Sequence, residues 1–165
     1  MKNIFWIPTE SIGKLAIVTR PRPGDWLEDE IRKFKKSSID VLVSALTPEE
    51  NEELGLIDES VCCTSEGIEF ISFPITDRSV PFSRIALDDL ARRIKIALED
   101  GRSVGIHCRA SIGRASIIAA SVLVHLGIPA ESAFSRITEA RGCAVPDTPE
   151  QRAWVQANAL QSFKT

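Results

Sequence analysis

The sequence predicts an α/β fold with a central, mostly parallel sheet flanked by helices. Two short apolar runs rich in β-branched residues, "IDVLVSAL" at 39–46 and "SVGIHC" at 103–108, have the length and flanks of strands buried on both faces. Between them, residues 84–99 repeat apolar side chains at helical spacing. Strands that alternate with helices in this way pair in parallel, because each crossover helix returns the chain to the same end of the sheet.

The size and charge of the chain restrict its class. It has 165 residues, of which 44% are hydrophobic and 26% charged, with a net charge of -3. This composition is typical of one soluble globular domain spanning residues 1–165. A weakly acidic chain has no overall positive field, so we expect neither a nucleic-acid nor a membrane partner. Its longest apolar helix candidate, 115–126, is shorter than the ~20 residues that a bilayer span needs.

The cysteines do not form a disulfide framework. The chain has four, and two of them are adjacent: Cys62, Cys63, Cys108 and Cys143. This spacing favours a reducing, cytoplasmic setting in which Cys62, Cys63 and Cys143 are packing residues. With no Cys-x-x-Cys pair and only two histidines, the sequence predicts no structural metal.

The first half of the chain contains two predicted strands, each followed by a helix start signal. Residues 14–21 form the first strand, which ends in a proline-rich stretch. Asp25 and Glu28 then have the spacing of a capping box. The strand at 39–46 is followed by Thr47 as a second N-cap, with proline at the first helical position.

The second half continues the alternation. Residues 67–75 are predicted as a strand, and the helix at 84–99 ends near Gly101. After the strand at 103–108, the apolar pattern predicts three helices: 114–126, 130–141 and 149–162.

The loop after the strand at 103–108 carries the chemistry. Cys108 stands at a carboxyl end of the sheet, where α/β folds bind ligands. The loop into the next helix turns its backbone N–H groups toward a common centre, as in an anion nest. Its residues are Arg109, Ala110, Ser111, Ile112 and Gly113. Arg114, in the first helical turn, can then bind two oxygens of a phosphate.

The same positive environment would activate the cysteine. A free thiol has a pKa of about 8.5, which helix N-termini and nearby cations lower to ~3.5–7.5. Cys108 would then be a thiolate nucleophile beneath a bound oxyanion. His107 is placed to hold the cysteine backbone and to help keep the thiolate ionised.

With a strand before it and a helix after it, "HCRASIGR" resembles the signature loop of the cysteine-based protein tyrosine phosphatases. The chain resembles their compact dual-specificity branch in its bacterial form, also through "FPITDRSVP" and "VPDTPEQ". The resemblance implies Cys108 as nucleophile, Arg114 as phosphate clamp, Asp77 as general acid, a phosphocysteine intermediate, and no cofactor or metal. The implied substrate is a protein phosphorylated on tyrosine or serine/threonine, or a small phosphomonoester.

Gln151 has two interpretations of equal weight. In the family, a glutamine at this place positions the water that hydrolyses the phosphoenzyme. In the chain itself, Thr148 and Gln151 also have the spacing of a capping box.

Two positions depart from the family pattern. Ser111 stands where related loops usually carry glycine, which permits backbone angles that other residues adopt at a cost. Ala115 stands where they usually carry a hydroxyl residue that bonds the cysteine sulfur and helps it leave. Ser116, about 100° further around the helix, would point elsewhere. We therefore expect phosphorylation of Cys108 at a normal rate and slow release of phosphate.

Other functions fit parts of the same pattern. The departures in the loop favour a phosphate-binding module without turnover, whereas Cys108, Arg114 and Asp77 oppose it. The fold and loop also allow a phosphoinositide or small-molecule phosphatase. A sulfur-transfer or arsenate-reducing enzyme is a further rival, in which Cys143 would attack Cys108. Three arginines are candidates to surround the cleft and attract acidic substrates: Arg78, Arg84 and Arg109.

Overall fold

A five-stranded sheet forms the centre of the computed structural model, which describes residues 2–162 and the side chains as far as residue 157. The strands are β1 (Ile4–Ile7), β2 (Leu15–Val18), β3 (Val41–Ser44), β4 (Glu69–Ser72) and β5 (Val104–His107). Their order across the sheet is β1-β2-β5-β3-β4. Only the pair β1 and β2 is antiparallel, and the other neighbours are parallel. The predicted α/β class is confirmed.

Within residues 2–162, seven α-helices connect and cover the strands. They are α1 (Leu27–Lys36), α2 (Pro48–Glu53), α3 (Glu59–Ser65), α4 (Arg84–Glu99), α5 (Arg114–His125), α6 (Ala130–Arg141) and α7 (Pro149–Ser162). The helices expected from the sequence at 84–99, 114–126, 130–141 and 149–162 are present within a residue of their predicted ends.

Three features differ from the sequence-based expectation. The capping box predicted at Asp25 is wrong, because a 3₁₀ helix occupies Gly24–Trp26 and α1 begins at Leu27 without a side-chain cap. Strand β1 was not predicted, since as an edge strand it is only half-buried and lacks a clean alternation. Helix α3 was also missed, because its two turns are too short to show a period.

The sheet separates two hydrophobic cores. Leu15 and Ile17 of β2 face the core formed with α4, α5 and α6, whereas Ala16 and Val18 face the core formed with α1 and α3. This alternation follows from the two-residue period of a strand. Both faces of β2, β3 and β5 are buried, as the continuous apolar runs predict.

The parallel strands bring four loops to one edge of the sheet. Strands β2, β3, β4 and β5 run in the same direction, so their carboxyl ends meet there. The loops after β3, β4 and β5 carry Thr47, Asp77 and Cys108. This is the edge where α/β sheets bind ligands. Within residues 2–162, no helix is long and apolar enough to span a lipid bilayer.

Candidate active site

The loop between β5 and α5 keeps its shape with serine at position 111. Ser111 adopts a left-handed backbone with φ +56°, which glycine would adopt at lower cost. Its hydroxyl compensates by donating a hydrogen bond to the Val18 carbonyl oxygen at 2.7 Å. The Ser111 hydroxyl oxygen also accepts a weak hydrogen bond from the Cys108 N–H at 3.4 Å. Serine therefore ties the loop to β2, which glycine cannot do.

Arg141, at the end of α6, holds the outer side of this loop. Its guanidinium donates to the Ser111 carbonyl at 3.0 Å and to the Ala110 carbonyl at 3.2 Å, and it stacks on the Phe5 ring at 4.3 Å. A trans peptide points its C=O and N–H in opposite directions. The N–H groups of Ser111 and Ile112 therefore face away from Arg141, as an anion nest requires.

Gly113 allows α7 to approach the loop closely. A Cβ on Gly113 would lie 2.3 Å from Asp147 Oδ2 and 2.9 Å from Gln151 Oε1. Gln151 is fully buried and forms the predicted capping box with Thr148, with both bonds at 3.1–3.2 Å. Its side-chain amide also donates to the Ser79 carbonyl at 2.9 Å, in the loop that carries Asp77. Gln151 thus joins α7 to that loop.

Arg114 is buried and its guanidinium is held in one orientation. The residue is 1% exposed, and its two terminal nitrogens donate to the Glu50 carboxylate at 2.6 and 3.0 Å. One nitrogen also donates to the Ile75 carbonyl at 2.8 Å. Burial alone would lower the pKa of Arg114, but the Glu50 hydrogen bonds and the nearby Cys108 raise it, so the cation is permanent.

Glu50 owes its position to the capping box at the start of α2. Thr47 accepts from the Glu50 N–H at 3.2 Å, and the Glu50 carboxylate accepts from the Thr47 N–H at 3.1 Å. Burial tends to raise the pKa of Glu50, but the hydrogen bonds from Arg114 and Thr47 lower it below its ordinary value. The capping box that begins α2 therefore also orients Arg114, although the signature loop is distant in the chain.

Asp77 lies beside Arg114, as the sequence predicts for a member of the same site. Its Oδ1 is 3.1 Å from a terminal nitrogen of Arg114, and its side chain is 52% exposed. The turn from Thr76 to Ser79 is closed by a 2.9 Å backbone hydrogen bond, with Arg78 at φ +58°. Asp77 is thus at the solvent side of the site.

His107 is buried behind Cys108. Its Nδ1 lies 3.4 Å from the Cys108 carbonyl oxygen, and its Nε2 lies 2.6 Å from Glu59 Oε2 on α3. The contact with the cysteine backbone agrees with the expectation for His107. The glutamate partner was not expected.

The three arginines proposed to surround the cleft differ in their surroundings. Arg109 forms ion pairs with Glu53 at 3.3 Å and Glu50 at 3.7 Å. Arg84 stacks on Trp154 at 4.5 Å and donates to its carbonyl, so its guanidinium supports α7. Arg78 is exposed next to Asp77.

The first turn of α5 beyond Arg114 carries no hydroxyl bonded to Cys108. Ala115 is fully buried, and the buried Ser116 Oγ has no hydrogen-bond partner among residues 2–157. The expectation that Ser116 points away from the cysteine sulfur agrees with this geometry.

The remaining cysteines differ from Cys108 in their surroundings. Cys63 is buried in the core under β3, where burial and the nearby Glu59 raise its thiol pKa to about 12. Burial and four nearby carboxylates also raise the pKa of Cys62. Cys143 packs against the other core. These positions suit packing residues.

Sequence reasoning missed three side chains that shape the site: Glu50, Glu59 and Arg141. The sequence identified Glu50 only as part of a helix N-cap. Because the capping box fixes its carboxylate, Glu50 is also a suitable partner for a buried cation. Glu59 and Arg141 left no signal, because their partners are distant in the chain and a lone charged residue in a helix is usually solvated.

Glu50→Gln should destabilise the protein and change its response to acid. The variant leaves the Arg114 cation without its carboxylate, which costs about 3–5 kcal/mol of unfolding free energy for a buried pair. Because the folded protein lowers the pKa of Glu50, its contribution is complete above the ordinary pKa of 4.5 and is lost as the pH falls through the folded value.

Urea unfolding of wild type and Glu50→Gln at pH 7 and at pH 3 measures this contribution. We expect a large difference at pH 7 that shrinks at pH 3. Glu49→Gln, an exposed neighbour on α2, is the matched control. An equal difference at both pH values would contradict the assigned role of the Glu50 charge.

Ser111→Ala should cost more stability than Ser111→Gly. Both variants remove the hydroxyl from Val18, which leaves a buried carbonyl oxygen unpaired at about 1–3 kcal/mol. Only the glycine variant also removes the strain of a left-handed backbone at position 111, which restores roughly 1 kcal/mol of unfolding free energy. Thermal unfolding of the two variants tests this order, and a more stable alanine variant would contradict it.

The comparisons with known proteins agree with this geometry. Residues 18–128 match the family model Tc-R-P, described as "Polymorphic toxin system, DSP-PTPase phosphatase". Protein tyrosine phosphatase PRL-1 of Leishmania major is 28% identical over 157 residues, which cover 90% of this chain and 83% of that protein. Protein tyrosine phosphatase type IVA 2 of Mus musculus is 34% identical over 77 residues, or 46% of each chain. The match thus spans about half the length of this curated relative.

The fold is similar to that of solved phosphatases. The kinase associated phosphatase, crystallised with its catalytic cysteine replaced by serine, superposes with a TM-score of 0.87 at 18% identity over 98% of this chain and 96% of that chain. At this identity the likeness concerns the fold. With the family model matched from the end of β2 to beyond α5, the chain belongs to the dual-specificity branch of the cysteine-based protein tyrosine phosphatases.

Proposed function

We propose that residues 1–165 form a single phosphatase domain that hydrolyses phosphomonoesters through a phosphocysteine intermediate. One observation carries the proposal: the buried Arg114 is fixed by Glu50 within electrostatic reach of Cys108. Burying a cation at this edge of the sheet is costly. The buried Glu50 compensates the charge of Arg114 on the inner side, and the half-exposed Asp77 lies against it on the solvent side. A phosphate that takes the place of Asp77 can bind on the solvent side, above the cysteine.

The first chemical step transfers the phosphoryl group to the enzyme. The Cys108 thiolate attacks phosphorus, the S–P bond forms, and the P–O bond to the leaving group breaks. The N–H groups of Ser111 and Ile112, together with Arg114, bind the non-bridging oxygens and stabilise the charge of the transition state. The leaving oxygen takes a proton from Asp77.

Asp77 is suited to this role by its position. Its carboxylate contacts the Arg114 guanidinium, which would also bind the phosphate. A bound phosphate would compete for Arg114 and repel an ionised carboxylate, which favours a protonated Asp77 turned toward the leaving group. Gln151 supports the step by holding the loop through Ser79.

The second step hydrolyses the intermediate. Water attacks phosphorus, Asp77 accepts a proton from it, and the S–P bond breaks to restore the Cys108 thiolate. A hydroxyl after Arg114 would stabilise the departing sulfur, but Ala115 has none. This step is therefore the slow one.

The charge around the loop favours a phosphoprotein over a phosphoinositide. Three exposed carboxylates on α2 lie at this edge of the sheet: Glu49, Glu52 and Glu53. Glu53 pairs with Arg109, the one further cation of the signature loop. These carboxylates would repel a headgroup with several phosphates. They would attract a peptide that has one phosphate and basic neighbouring residues.

Pre-steady-state kinetics with an aryl phosphate should show a burst. We expect one leaving group per active site in a fast phase, followed by slow turnover, because hydrolysis limits the rate. Stopped-flow absorbance measures both phases. Cys108→Ser should abolish the burst, and Asp77→Asn should slow it by roughly 10²–10⁴-fold for a basic leaving group.

A protein that binds phosphate but releases no leaving group would contradict the enzymatic proposal. That result would favour the phosphate-binding module. Turnover that survives Cys108→Ser would instead exclude the phosphocysteine route.

Ala115→Ser should speed turnover without speeding the burst. The new hydroxyl can donate to the departing thiolate, and a hydrogen bond to a charged group of about 1.5 kcal/mol raises the rate of this step roughly tenfold. Ala119→Ser, one turn further along α5 and equally buried, is the matched control. Unchanged turnover in a folded Ala115→Ser variant would remove Ala115 as the cause of slow hydrolysis.

A further inference from the structure

A buried contact between a glutamate and a histidine lies directly behind Cys108. Glu59 on α3 is 1% exposed and His107 at the end of β5 is fully buried, with 2.6 Å between Oε2 and Nε2. Charged groups are rarely buried to this extent, because desolvation costs more than most contacts return. Glu59 lies in the first turn of α3, where a carboxylate is favourable, but a helix start does not require a histidine partner 48 residues away in the chain. Its position next to Cys108 suggests a task in the chemistry.

The two nitrogens of the His107 ring both face oxygen atoms. Nε2 faces the Glu59 carboxylate, and Nδ1 faces the Cys108 carbonyl oxygen at 3.4 Å. A neutral imidazole has one N–H donor, whereas a protonated one has two. Only the protonated ring donates at both ends, and the short Glu59 contact has the length of a charge-assisted hydrogen bond.

We propose that Glu59 is a positioning residue that holds His107 as an imidazolium beside Cys108 and thereby favours the thiolate. The inference rests on the proposed function only in taking Cys108 as the nucleophile. The pair has no net charge, but its positive end is directed toward the cysteine residue and its negative end toward α3. A cation on the near side stabilises a thiolate more than the distant carboxylate destabilises it.

The groups around Glu59 and His107 do not change their charge during the test described below. Among the described residues, Cys63 lies near Glu59 on α3 with its thiol pKa raised to about 12, so it stays neutral. Arg114 on α5 stays charged. Ser44, opposite His107 on β3, accepts from the Leu46 N–H and carries no charge. The effect of a substitution at Glu59 on the reactivity of Cys108 therefore reports on the contact between Glu59 and His107.

Alkylation of Cys108 as a function of pH tests the proposal. Iodoacetamide reacts with the thiolate, and mass spectrometry of the peptide gives the rate at Cys108 alone. Glu59→Gln keeps the shape and an acceptor oxygen but removes the charge. We expect alkylation at pH 6 to fall about tenfold and its pH midpoint to rise by about one unit. Glu59→Asp should restore part of the rate.

The control is Glu66→Gln, which removes a carboxylate just after α3 that pairs with Arg32 instead of His107. It should leave the alkylation profile unchanged. A folded Glu59→Gln variant with the wild-type midpoint would overturn the proposal. A merely structural role would lower the melting temperature without moving the midpoint, and this outcome also counts against it. Because alkylation needs no turnover, failure of the phosphatase proposal would appear separately, as absent release of an aryl leaving group.

A second measurement needs no variant of Glu59. The chain has two histidines, so ¹⁵N-histidine labelling gives two sets of ring signals, and His125→Asn assigns them. We expect both ring nitrogens of His107 to be protonated in the wild-type protein at pH 7. A neutral ring with one protonated nitrogen would overturn the proposal even if Glu59→Gln does not fold.

Discussion

The ion pair between Arg114 and Glu50 is the interaction on which the site depends. Arg114 begins the helix after the signature loop, and Glu50 belongs to the capping box of another helix. Their two hydrogen bonds join the loops that follow β3 and β5. The Ile75 carbonyl adds the loop after β4. One buried guanidinium thus fixes three loops at the carboxyl edge of the sheet, where the phosphate would bind.

Further contacts support the signature loop from outside. Arg141 holds its carbonyl groups, and Ser111 ties it to β2. Glu59 and His107 form a second buried contact beneath Cys108. On either side of Cys108, a glutamate from a helix between β3 and β4 thus meets a basic side chain.

Much of the fold was predictable from sequence, because apolar runs and helix signals are local. The strands at 39–46 and 103–108 and the late helices were identified on that basis. Strand β1 was not, since its pairing partner rather than its own pattern makes it a strand. In the site, the resemblance identified Cys108, Arg114 and Asp77, which the structure brings to one edge. Glu50, Glu59 and Arg141 act through tertiary contacts, which a single sequence does not reveal.

The proposed function depends on transfer of the phosphoryl group to Cys108 beneath Arg114. Mass spectrometry of the protein, quenched rapidly during turnover of an aryl phosphate, detects this transfer. We expect a phosphoryl group on the peptide that contains Cys108, abundant at steady state because Ala115 offers no hydroxyl to the departing sulfur. Release of inorganic phosphate with Cys108 unmodified, or with the phosphoryl group on another residue, would contradict it.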